Sequence, residues 1–86
     1  MIGKIRKCDY TGDSVLAQFD TEKQDTVEVA QEALTKFLDS CVKQYGIKPP
    51  VWGRRVGEHD FDKFNPESDS LLERDEVIVQ FPMVGG

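Results

Sequence analysis

The chain has 86 residues, 31% of them charged and 38% hydrophobic, and a formal net charge of −5. That length holds one domain with one core and leaves no room for a cofactor domain beside a substrate domain. The acidic balance argues against nucleic acid as a partner, because phosphate binding needs a basic surface.

Apolar runs are too short to span a membrane, and the basic start MIGKIRKCDY lacks the apolar stretch of a signal peptide. A cytoplasmic protein is expected, with no membrane partner. In chain order, Ile2–Tyr10 and Ser14–Thr21 read as two strands joined at Thr11-Gly12-Asp13, a β-hairpin. Val15, Ala17 and Phe19 alternate as a half-buried strand requires. Ile2 and Ile5 fall on opposite faces of an unbroken first strand, which a bulge at Gly3 would reconcile.

From Thr26 to Tyr45 the apolar residues Val27, Ala30, Leu34, Phe37, Leu38, Cys41 and Tyr45 form a stripe at helical spacing. Asp25 or Thr26 is suited to cap the start, with Glu28 three residues after Asp25 as in a capping box. Glu32 with Lys36, and Asp39 with Lys43, are acidic-before-basic pairs one turn apart. Gly46 supplies a left-handed end, and Pro49-Pro50 prevents resumption.

Beyond the helix, Val51–Val56 reads as a short strand and Gly57–Asp69 as a polar, turn-rich stretch with a turn at Asn65-Pro66. Asp75–Phe81 is a last strand rich in β-branched residues, and Pro82 has no N–H with which to continue pairing. The order β-β-α-β-β predicts a two-layer α+β domain over residues 1–82, with residues 83–86 as a tail.

Two consecutive glycines close the chain. Chance alone gives such an ending in roughly one sequence in 200 at average glycine usage. A Gly-Gly end is slender and conformationally free, suited to threading a narrow channel and presenting an unhindered carboxylate. Carboxylates acylate poorly, so ATP would first convert this one to an acyl-adenylate.

Three segments carry a resemblance. Gly46-Ile47-Lys48-Pro49-Pro50 is similar to the Gly-Ile-Pro-Pro segment of ubiquitin. Asp75-Glu76-Val77-Ile78-Val79-Gln80-Phe81-Pro82-Met83-Val84-Gly85-Gly86 resembles the close of molybdopterin-synthase small subunits and related sulfur carriers. Val51-Trp52-Gly53-Arg54-Arg55-Val56 is similar to their Val-Asn-Gly-x-x-Val hairpin, with Trp52 in place of asparagine. The chain thus resembles the ubiquitin-like superfamily, bacterial ubiquitin-like modifiers included.

The resemblance implies a β-grasp fold, ββαββ, with one helix on a mixed sheet. It also implies a carrier rather than an enzyme, needing no cofactor of its own. A ubiquitin-activating-type (E1-like) partner would adenylate Gly86. An E2-like enzyme, a target protein or a synthase large subunit would follow, through conjugation or thiocarboxylation. Gly85 would give access, and Phe81, Pro82, Met83 and Val84 would guide the tail into a partner.

Other features read more plainly. Cys41 lies on the buried stripe as a small hydrophobe, and nothing around Cys8 suggests an activated thiol. His59 with Asp60 and Asp62 lacks the further ligands of a metal site, and Glu58 with Asp60 lacks a cleft. Lys4, Arg6 and Lys7 read as a solvated strand edge defended by basic residues. Trp52 with Arg54 is a candidate partner surface if Trp52 is exposed, and a piece of the core if it is not. Two alternatives stand beside the carrier: a noncovalent binding module using its sheet face, and a small subunit of an enzyme complex.

Overall fold

A computed structural model describes residues 1–9 and 12–80. The expectations placed on Tyr10, Thr11 and Phe81 to Gly86 lie outside these described residues. Within them one helix packs on a five-stranded mixed sheet, an α+β arrangement. The strands are β1 (Ile2–Asp9), β2 (Gly12–Asp20), β3 (Val51–Arg55), β4 (Phe61–Lys63) and β5 (Arg74–Gln80). The helix α1 spans Gln24–Tyr45, and a short 3-10 turn, Leu71–Glu73, precedes β5. Strand order is β2-β1-β5-β3-β4, with β1 and β5 parallel and the other neighbours antiparallel.

The fifth strand corrects the four-strand reading. Phe61–Lys63 pairs with β3 inside the polar, turn-rich stretch, and at three residues it is too short to show an alternating pattern. The turn after it does form: Ser68 N–H donates to the Asn65 carbonyl at 3.1 Å, and Glu67 N–H to Asn65 Oδ1 at 3.0 Å. Gly12 and Asp13, which the sequence places in the connecting loop, lie in β2 and pair with Asp9 and Cys8.

No bulge lies at Gly3. Ile2 is simply exposed, while Ile5 is fully buried. Gly3 pairs with Phe19, whose ring fills the space a Cβ would take. The register shift falls opposite Ile5 and Arg6 and leaves Leu16 as the extra residue of β2.

The helix contributes Val27, Ala30, Leu34, Leu38 and Cys41 to the interior, as its spacing predicts. Phe37 is only half-buried at the margin and Tyr45 is 48% exposed, so the stripe is narrower than expected at its end. Neither Asp25 nor Thr26 is the cap; Lys23 is, without a side-chain bond. The Thr26 hydroxyl instead accepts the Asp20 N–H at 2.8 Å, tying the end of β2 to the first helical turn. Gly46 ends the helix at φ 74° with its N–H on the Val42 carbonyl at 2.8 Å. Glu32 and Lys36 pair at 3.0 Å.

From the sheet come Ile5, Phe19, Val51, Val77 and Val79, closed at one end by Phe64 and Leu71. Alternation along β3 and β5 sends Val51, Gly53, Val77 and Val79 toward the helix. Trp52, Arg54, Glu76 and Ile78 go to the opposite face, which no element covers among the described residues.

Candidate functional site

The strand that leads into the C-terminal residues is held on both sides. β5 runs between β1 and β3, with Gln80 beside Cys8 and Val79 beside Val51. The Gln80 N–H donates to the Pro50 carbonyl at 3.0 Å, so pairing persists to the last described residue. Phe81, Pro82, Met83, Val84, Gly85 and Gly86 follow this root but lie outside the described residues.

Around the root, on the helix-free face, Cys8, Trp52, Phe61, Ile78 and Gln80 line a shallow hollow of about 300 Å³. Trp52 is half-buried and absent from the core cluster, so it lies between the exposed and the core positions that the sequence leaves open. Its indole N–H donates to Gln80 Oε1 at 3.1 Å, so the polar end is satisfied while the ring adds apolar surface. Ile78 reaches this face by the period-two alternation of β5, a signal present in the sequence. Phe61 arrives through β4, which short length concealed.

Charges fill the other half of the face. Glu76, 8% exposed, sits between two guanidinium groups. Arg6 pairs with Glu76 and, at 2.8 Å, with Asp13. Arg54 donates from Nε to Asp75 at 3.0 Å and from Nη2 to Glu76 at 3.2 Å. The hydrogen bond to Asp75 chiefly raises the Arg54 pKa; partial desolvation opposes it, and the nearby charges of Asp75 and Glu76 add to it.

Arg54 stacks over the Phe61 ring, 5.6 Å from its centroid. The cation–aromatic contact on this face is therefore with Phe61, where the sequence suggests Trp52. Nor are Lys4, Arg6 and Lys7 one patch on an edge. β1 is an interior strand, Lys4 and Arg6 share the helix-free face, and Lys7 lies on the other side, 5.9 Å from the Phe37 ring centroid.

Neither thiol is activated. Burial, and then a hydrogen bond with the Asp13 carboxylate, pushes the Cys8 pKa up; burial does the same for Cys41 against a smaller opposing effect of Lys7. Among the described residues no three His, Cys, Asp or Glu side chains are placed to hold a metal ion, and Asp62 instead lies 3.6 Å from Arg55. The face has the chemistry of a contact surface, apolar beside the tail root and ionic away from it. No protein-family model, curated protein or solved structure matches the chain.

Proposed function

We propose that the chain is a β-grasp, ubiquitin-like carrier or modifier whose working group is the Gly86 carboxylate. A separate ubiquitin-activating-type enzyme adenylates that carboxylate: its oxygen attacks the α-phosphate of ATP and pyrophosphate leaves. A nucleophile then displaces AMP, giving either a bond to a target lysine or, with a sulfur donor, a thiocarboxylate. The single helix between β2 and β3, over a mixed sheet, is compatible with the β-grasp arrangement.

One observation carries the reading furthest. The chain enters Phe81-Pro82-Met83-Val84-Gly85-Gly86 directly from β5, the middle strand, paired on both sides as far as Gln80. A rigid root followed by a slender glycine end suits delivery of a carboxylate into another protein's active site.

A second reading, a noncovalent binding module, is favoured by the surface position of Trp52 beside Ile78 and Phe61. Paired variants separate the two. For a carrier, deleting Gly85-Gly86 abolishes activation while the thermal unfolding midpoint is unchanged, and Trp52→Ala weakens only the encounter with the enzyme. For a binding module, the deletion is harmless and Trp52→Ala abolishes partner capture.

A further inference from the structure

The two edges of the sheet differ. β4, at one edge, is three residues long and carries Asp62 and Lys63, so it offers another chain little backbone to pair with. β2, at the other, runs for nine residues, and among the described residues no strand pairs along its outer side. Its centre, Ser14-Val15-Leu16-Ala17-Gln18-Phe19, has no charge and no proline. Such an edge presents a row of backbone N–H and C=O groups, and an extended chain is what satisfies a row of that geometry.

Pairing with β1 fixes the face on which each β2 residue lies. Asp13, Val15, Gln18 and Asp20 lie opposite Cys8, Arg6, Lys4 and Ile2, on the helix-free face. Ser14, Ala17 and Phe19 lie opposite Lys7, Ile5 and Gly3, on the helix side. Leu16, the extra residue at the register shift, is partly buried against the core and so belongs to the helix side too.

That arrangement makes the strand complementary to itself. Two antiparallel copies centred between Leu16 and Ala17 set Ser14 opposite Phe19, Val15 opposite Gln18 and Leu16 opposite Ala17. Every such pair shares a face, and Phe19 and Leu16 each meet a small residue. Asp13 opposite Asp20 is the one like-charge contact of the two strands. Each already has a partner: Arg6 lies 2.8 Å from Asp13, and the Glu22 N–H donates to Asp20 at 3.0 Å. Thr26, bonded to Asp20, marks the helix flank beside β2, and Ala33, Phe37, Ser40 and Gln44 follow on that flank without a charge. A second copy therefore meets little repulsion there, despite the net charge of −5 on each chain.

We propose that the chain forms a two-fold dimer in which β2 pairs antiparallel with β2 of a second copy, joining two five-stranded sheets into one. β5 lies two strands in from this edge, so the dimer contact leaves it and the hollow beside Trp52 uncovered. Nothing in the pairing rests on the function proposed for Gly86.

The test is sedimentation equilibrium of the full chain over rising concentration, with ¹⁵N amide shifts followed over the same series. The molar mass is expected to climb from 9.8 kDa toward twice that value, with concentration-dependent shifts centred on Ser14 to Phe19. Val15→Glu with Gln18→Glu places each carboxylate beside Arg6 or Lys4 of its own chain but opposite a like charge in the dimer. This variant raises the dimer dissociation constant about tenfold or more. Val15→Glu with Gln18→Lys sets opposite charges across the same pairs and restores dimerisation to within about threefold of the parent chain. Thermal unfolding midpoints close to the parent's at low concentration report an intact fold in both variants. The chain lacking Gly85-Gly86 dimerises equally well, so failure of the carrier function leaves this result standing. A mass that stays at 9.8 kDa up to about 1 mM overturns the pairing. So do shifts centred on Trp52 and Ile78, or a dimer equally stable in all three chains.

Discussion

Gly53 has no side chain because Arg74 and Phe64 occupy the space. A Cβ there would meet Arg74 Cδ at 3.2 Å, Arg74 Nη1 at 3.3 Å and Phe64 Cδ2 at 3.3 Å. Arg74 is 2% exposed, its Nη1 donates to the Gly53 carbonyl at 3.1 Å, and its guanidinium lies 5.5 Å from the Phe64 ring centroid. It therefore has little freedom to move aside. Gly53→Ala is expected to cost about 1–3 kcal/mol, read as a lowered urea midpoint with unchanged slope. The glycine of the Val51–Val56 segment thus serves the packing of a buried arginine, a role its motif does not disclose.

The cysteines give a second expectation at the same scale. Both thiol pKa values are raised on folding, so the protonated form is the one the fold favours. The resulting stability is complete below the unfolded thiol value of about 8.5 and is lost as pH climbs through the folded values. At pH 7.5, Cys8 should react with iodoacetamide more slowly than a free thiol, and Cys41 only on unfolding. Intact mass against time measures both; rapid labelling of Cys41 in the folded chain would contradict the burial.

At the scale of elements, the helix has a correctable weakness at its start. Lys23 caps it without a side-chain bond and leaves early N–H groups to other partners. Lys23→Ser is expected to stabilise the chain by about 0.5–1 kcal/mol, visible as a higher melting temperature. The helix was legible because its apolar period repeats over 22 residues, and Gly46 marked its end. β5 was legible from its branched residues. β4 was not, since three residues carry no period, and the aromatic residues Phe61 and Phe64 were the only trace of it. Thr26 has the chemistry of a cap, but its hydroxyl serves the β2–α1 junction rather than the helix end.

Over the whole molecule, sequence pattern supplied the two layers but not the sheet order, which depends on pairings between distant segments. That order puts β5, which ends at Gln80, in the middle of the sheet. The parallel β1–β5 pair and the antiparallel β3–β5 pair grip one strand between them, and the hollow of the helix-free face adjoins its end. Trp52 could not be assigned to core or surface from its neighbours in sequence, because its position depends on which face β3 turns toward the helix. Among the described residues, β5 is thus held on both sides up to Gln80, and the pKa values of Cys8 and Cys41 are raised rather than lowered.

The most direct test is the mass of the chain itself after incubation with a ubiquitin-activating-type enzyme and ATP. The expected result is an adenylate or enzyme thioester at Gly86, absent when Gly85-Gly86 is deleted. A sulfur-for-oxygen change in mass then marks sulfur delivery, and an adduct on a second protein marks conjugation. An unmodified terminus with every such enzyme tried, together with full function in the chain lacking both glycines, would contradict the carrier reading.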